Sequence, residues 1–271
     1  PMLRVPTHAQ LTCDEMELTR LPDGHYELDY DVMERIVTPR TRAFMLCNPH
    51  NPVGRVYTRA ELERMAEICL RHNIVICSDE IHCELLYTGI RHTPIATLSP
   101  EAAQRTITLM APSKTFNIAG LHFSVAIIEN RALRARFEAA KRGLVSSIGI
   151  MGWIAALAAY GDGQPWLDAL LRYLEVNRDL VCDYVNHRLP GVTMREPEGT
   201  YLAWLDCRGA GIGGSPHAFF LRQARVALNE GAAFGKGGEG FVRLNFGCCR
   251  ELLEKALERM RGALVTAAEG A

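Results

Sequence analysis

The sequence has no run of one charge, no apolar stretch of bilayer length, no internal repeat and no low-complexity segment. Each absence removes a class of function. With 30 Lys+Arg against 31 Asp+Glu, nothing provides the electrostatic footprint for nucleic acid or an anionic membrane surface. A small molecule is therefore the expected partner. The longest apolar segment, Ile148 to Tyr160, is interrupted by Gly149 and Gly152 and falls short of the roughly 20 residues that cross a bilayer; it reads as a buried helix. No basic stretch precedes an apolar core at the amino terminus, so no targeting signal is legible there, and the opening Pro1 reads as a cut or processed start. The nine cysteines are an odd number without disulfide-like rhythm, which points to a reducing, cytoplasmic setting. Cys77, His82 and Cys83 have no second ligand pair at zinc-like spacing, so no metal is expected. Gly235-Lys236-Gly237-Gly238 lacks the spacing of a phosphate-binding P-loop.

What is present is a chain of 271 residues, 48% hydrophobic, long enough for one large or two modest domains with a real core. Through the first half, short apolar runs alternate with helical patterns. The apolar runs are Ala43 to Cys47, Ile74 to Ser78, Thr106 to Ala111 and Ser124 to Ile128, with a helix expected over Arg59 to His72. That rhythm predicts an α/β fold with a mostly parallel sheet and crossover helices. Thr58 followed by Glu61 is a capping box at the start of the helix. A long helix is expected from Pro165 through Asn186, then strands at Thr200 to Leu205 and Phe241 to Phe246 and helices at Pro216 to Ala227 and Arg250 to Ala263. The mix suits a smaller α+β domain, so the expected division is a large domain over 1–164 and a small one over 165–271.

Three polar clusters follow apolar strands, at the carboxyl ends where open α/β sheets place ligands. Asn48-Pro49-His50-Asn51-Pro52-Val53-Gly54 follows the first. By turn chemistry it is a tight turn, and an Asn side chain fixed there can also donate to a ligand oxygen. Ser78-Asp79-Glu80-Ile81-His82 follows the second. An acidic pair so near a sheet core calls for a cationic partner, unless both carboxylates are solvated at a helix start. Ala111-Pro112-Ser113-Lys114-Thr115 follows the third. A loop lysine is most often a solvated surface group, and a desolvated one can form a Schiff base.

Taken together, Asn51-Pro52-x-Gly54, Asp79-Glu80 and Ser113-Lys114, 28 and 35 positions apart, resemble the fold-type-I aminotransferase superfamily of pyridoxal-phosphate (PLP) enzymes. Glu198-Gly199-Thr200-Tyr201, Phe234-Gly235 and Phe241-Val242-Arg243-Leu244-Asn245-Phe246-Gly247 extend the likeness along essentially the whole chain. The resemblance implies an aspartate-aminotransferase-like fold in which Lys114 carries PLP covalently, Asp79 pairs with the ring nitrogen and Asn51 contacts the phenolic oxygen. Arg243 would grip the substrate carboxylate, as a guanidinium fork does bidentately. Within the superfamily, Asp79-Glu80-Ile81-His82 and Ser113-Lys114-Thr115-Phe116-Asn117-Ile118-Ala119-Gly120-Leu121 are most similar to the PatB/MalY-type C–S lyases.

That likeness implies a C–S β-lyase acting on cystathionine-like amino acids, with an aminotransferase as the alternative. Less favoured is the PLP-binding effector domain of a transcription regulator, since no helix-turn-helix or basic patch is legible here. Two departures from the common aminotransferase pattern matter: His82 stands where a Tyr is usual, and His122 where an Arg holds the cofactor phosphate. Ser113 and Thr115 are left as phosphate candidates. The family's usual front part, with a phosphate loop and a ring stacked on PLP, has no counterpart in this sequence, so weak PLP binding is expected of the chain alone. The resemblance also implies a homodimer.

Overall fold

The computed structural model describes residues 2–145 and 147–269; Pro1, on which the reading of a cut start rests, lies outside them. Two compact units are interleaved along the chain. One, the sheet unit, comprises Tyr30–His50 and Val56–Leu171. The other, the terminal unit, comprises the described residues up to Asp29, Asn51–Arg55 and the described residues from Arg172 onward.

Near the amino terminus, β1 (Thr19–Arg20) and β2 (Tyr26–Glu27) form a short antiparallel pair. The sheet unit is built on β3 (Ala43–Cys47), β4 (Val75–Asp79), β5 (Thr106–Met110) and β6 (Val125–Ile127), hydrogen-bonded in that order. β3, β4 and β5 are parallel, and β6 is an antiparallel edge. The apolar runs identified the strands by their length and composition, and the central pair buries alternate residues, Ile76 and Ser78 on β4 and Thr106 and Thr108 on β5.

The helix Arg59–Arg71 starts where the capping box places it. The Thr58 hydroxyl accepts from the Glu61 amide at 3.3 Å, and the Glu61 carboxylate accepts from the Thr58 amide at 2.8 Å. Its buried side chains, Leu62, Met65, Ala66, Ile68 and Cys69, recur at helical spacing. Together with Ile74, Ile76, Leu85 and Ile95 they form the core of this unit.

The helix Ile150–Asp162 does not match the expected buried helix. It buries only Gly152 and Ala156, while Ile150, Met151, Trp153, Ile154, Leu157 and Tyr160 are exposed. Apolar content gave its length, but a helix apolar on most faces carries no stripe that says which face is covered.

In the terminal unit, β7 (Leu202–Asp206), β8 (Asn229–Glu230) and β9 (Phe241–Asn245) form an antiparallel sheet in the order β7-β9-β8. The helices Gln164–Arg188 and Arg250–Glu269 supply Val181, Val185, Leu253, Leu257 and Met260 to its core, with Phe220, Val242 and Phe246. The expected helix Pro216–Ala227 is shorter: α-helical turns hold over Pro216–Phe219, a π-helical turn follows over Phe220–Ala224, and Arg225 ends it in the left-handed region. No helix among the described residues is long and apolar enough to cross a membrane.

Candidate functional site

β4 ends on Asp79, in register with Cys47 of β3 on one side and Leu109 of β5 on the other. The ladder continues past it on both flanks. The Asp79 carbonyl accepts from the Asn48 amide at 3.0 Å, and the Glu80 amide donates to the Leu109 carbonyl at 2.9 Å. One Asp79 carboxylate oxygen accepts from the Ile81 amide at 3.3 Å. Burial pushes the Asp79 carboxyl above its ordinary range; the Ile81 hydrogen bond and the Lys114 charge pull the other way, while the Glu80 charge adds to the rise.

Successive side chains alternate along a strand, so Ser78 and Glu80 share the face opposite Asp79. Both are buried. The Ser78 hydroxyl donates to Glu80 Oε1 at 2.8 Å, and His92 Nε2 lies 2.8 Å from Oε2. His82 is buried in the turn after β4, where its carbonyl accepts from the Leu85 amide at 2.9 Å.

Beyond β5, a single helical turn, Pro112–Thr115, presents Ser113 and Lys114, both half-buried. Phe116 follows directly, 5.9 Å from the Trp166 ring and edge-on to Tyr160 at 6.0 Å. An aromatic anchor thus fixes the residue after the lysine-bearing turn. The Thr115 side chain is fully buried, and its hydroxyl has no partner among the described residues. His122 is exposed and left-handed, φ 52°.

The terminal unit holds the other two candidates. Arg243, on β9, donates from Nη1 to Asn51 Oδ1 at 2.7 Å and from Nη2 to Asn229 Oδ1 at 2.8 Å. Its guanidinium lies 4.7 Å from the Phe234 ring centroid, and burial lowers its pKa from the usual value. Asn51 is held by its neighbours. Gly54, with φ +74°, accepts at its carbonyl from the Glu198 and Gly199 amides at 2.8 and 3.0 Å. The Asn48–Pro49 and Asn51–Pro52 bonds are cis.

Asp79, His82, Ser113 and Lys114 thus lie at the carboxyl ends of neighbouring strands in the sheet unit, and Asn51 and Arg243 are hydrogen-bonded to each other in the terminal unit. Sequence reasoning missed His92 and Asn229. Both are loop or edge residues whose partners lie 12 and 14 positions away, and no local pattern marks such a pairing. Among the described residues no cluster of His, Cys, Asp and Glu could hold a metal ion. All nine cysteines are free thiols.

An open α/β sheet with an acid and a lysine at its carboxyl edge, in a chain that also carries an antiparallel α+β unit, defines the aspartate-aminotransferase-like fold. Comparison with known proteins agrees. The family of class I and II aminotransferases matches residues 4–260, and the chain belongs to it. It is 41% identical over 245 residues to cystathionine beta-lyase PatB of Bacillus subtilis, covering 89% of this chain and 63% of that protein. The chain therefore spans just under two thirds of that relative's length. Among solved structures, OvoB superposes with a TM-score of 0.93 at 45% identity, covering 98% of this chain and 69% of that one. A PLP-bound C–S lyase from Staphylococcus hominis superposes with a TM-score of 0.92 at 32% identity, covering 98% and 69%.

Proposed function

We propose that this chain is the PLP-binding, substrate-binding part of a C–S β-lyase that converts cystathionine-like amino acids and water to a thiol, pyruvate and ammonia. The observation that carries the reading is the pairing, on adjacent parallel strands, of the half-buried Asp79 carboxylate at the end of β4 with a lysine just beyond β5, in a chain 41% identical to a cystathionine beta-lyase.

The residues present fit the cofactor. The Asp79 carboxylate suits a protonated ring nitrogen, the Lys114 amine an aldehyde, and the Asn51 amide nitrogen a phenolic oxygen while its oxygen serves Arg243. For the phosphate the candidates are Ser113, half-buried beside the lysine, and Thr115, whose buried hydroxyl has no partner among the described residues, with His82 close to Asp79 in sequence.

When bound, PLP supplies an electron sink for negative charge formed at the substrate Cα. Lys114 then removes the Cα proton, Asp79 keeps the ring nitrogen protonated, and Arg243 orients the carboxylate. With sulfur on Cβ, removal of the Cα proton by Lys114 would be followed by cleavage of the C–S bond, the electron pair of that bond leaving with the thiolate. We further propose that residues 1–164 and 165–271 correspond to the large and small domains of the family, that the protein is cytoplasmic and that it works as a homodimer.

The test is an absorbance titration with PLP, then L-cystathionine, with pyruvate assayed in the absence of any keto acid. A PLP band abolished by Lys114→Ala, together with pyruvate release, is the expected result. Turnover only with an added keto acid makes the protein an aminotransferase, and no Lys114-dependent band at all overturns the PLP reading.

A further inference from the structure

Glu80, directly after Asp79, has no role in the function proposed above, yet it is a carboxylate only 1% exposed in the interior of the sheet unit. Burying such a group is costly unless it is hydrogen-bonded. Two side chains reach it, one at each carboxylate oxygen. Ser78, on β4, is two residues before it, and His92 comes from the loop before Pro94. The His92 side chain is itself 8% exposed, and its other ring nitrogen, Nδ1, is buried with no partner among the described residues. A buried N–H without an acceptor costs more than an unused lone pair. The imidazole therefore carries its hydrogen on Nε2 and donates it to Glu80.

We infer that His92 is a positioning residue for Asp79, acting through Glu80: the Ser78 and His92 hydrogen bonds fix the Glu80 side chain, and with it the backbone that aims the Asp79 carboxylate. The chain of contacts is short. The Glu80 amide is tied to Leu109, its carbonyl accepts from the Cys83 amide at 3.0 Å, and the intervening turn presents the Ile81 amide to Asp79 Oδ1. The Glu80 side chain is the pin on the side of this turn away from the Asp79 carboxylate. Releasing it lets residues 79–81 rotate, and the Ile81 hydrogen bond is the first to lengthen.

The inference rests on the PLP reading only for its consequence, since the aim of Asp79 exists without cofactor. It is therefore tested first on the cofactor-free full chain, by amide hydrogen exchange. His92→Phe removes the donor and His92→Gln restores one. The expected result is Ile81 exchange accelerated severalfold to about tenfold in His92→Phe, the scale set by losing one buried hydrogen bond, with Ile76 in mid-strand unchanged and His92→Gln close to wild type. If His92→Phe does not fold, Ser78→Ala removes the other donor with less change of volume and is read the same way. Wild-type exchange at Ile81 in a folded donor-removing variant overturns the inference.

PLP affinity is the second readout. Under the PLP reading His92→Phe weakens it about tenfold, while His92→Gln stays near wild type. Altered Ile81 exchange in a chain whose wild type shows no Lys114-dependent PLP band keeps the positioning role and discards the cofactor. Loss of PLP affinity in His92→Gln equal to that in His92→Phe shows that bulk, not the hydrogen bond, matters, and also overturns the inference.

Discussion

Arg243 donates from its two terminal nitrogens to two separate amide oxygens, those of Asn51 and Asn229. A planar fork meets both at once, and a lysine ammonium on a flexible stem does not. If the guanidinium also receives the substrate carboxylate, Arg243→Lys is expected to raise KM roughly tenfold while leaving the PLP absorbance band intact; steady-state kinetics with L-cystathionine check this, and an unchanged KM removes Arg243 from the substrate site. A second prediction concerns stability. Burial works to raise the Asp206 carboxyl, but hydrogen bonds from the Arg208 side chain and backbone and the Arg208 and Arg20 charges outweigh it, so its folded value lies below the ordinary one. A depressed folded pKa stabilises the fold above the unfolded value of about 3.9 and ceases to do so as pH falls through the folded value. Asp206→Asn should be less stable than wild type at pH 7 in urea, with the gap closing below about pH 4. A gap independent of pH would show that packing, not charge, makes the difference.

At the scale of elements, what the sequence could show was what is encoded locally. The capping box at Thr58 and Glu61 is written in two residues three positions apart, and it forms as written. Removing it with Thr58→Ala should cost about 1 kcal/mol in urea unfolding. The turn Asn48–Gly54 was legible as a turn from its prolines and glycine, and its purpose in the fold was not. Gly54 has φ +74°, and a Cβ there would lie 2.4 Å from Pro197 Cβ. Gly54→Ala should therefore destabilise by about 1–3 kcal/mol through backbone strain alone, and more where Pro197 cannot retreat. Because Gly54 also anchors the stretch carrying Asn51, the same variant should weaken PLP binding, by absorbance titration, more than Thr58→Ala does. Asp79, Lys114 and Asn51 were legible because each follows an apolar strand in a recurrent motif. His92 was not, because a loop histidine gains meaning only from the buried carboxylate it reaches. The Pro216–Ala227 helix was overrun for a related reason: helical spacing of apolar residues persists through a π-helical turn.

At the scale of the whole molecule, the compact units interleave in sequence: the amino-terminal residues and Asn51–Arg55 group with the carboxyl-terminal half. A linear reading of composition divides a chain once and carries no signal for this. The same blindness to tertiary surroundings explains the helix Ile150–Asp162, whose Ile150, Ile154 and Leu157 are 70, 54 and 67% exposed. Leu144 and Val145 are exposed as well, and exposed large apolar side chains this frequent along one stretch are what a contact surface needs. Since Leu157 contributes little to the interior of this chain, Leu157→Lys should leave the urea midpoint within about 0.5 kcal/mol of wild type. It should also reduce concentration-dependent association in sedimentation velocity, because a charge in an apolar contact loses hydration without gaining a partner. Destabilisation of the chain itself by about 2 kcal/mol or more would instead mean that Leu157 packs within the fold, as its sequence neighbourhood first suggested, and unchanged association in a stable variant would mean that this surface is tolerated in water as it stands.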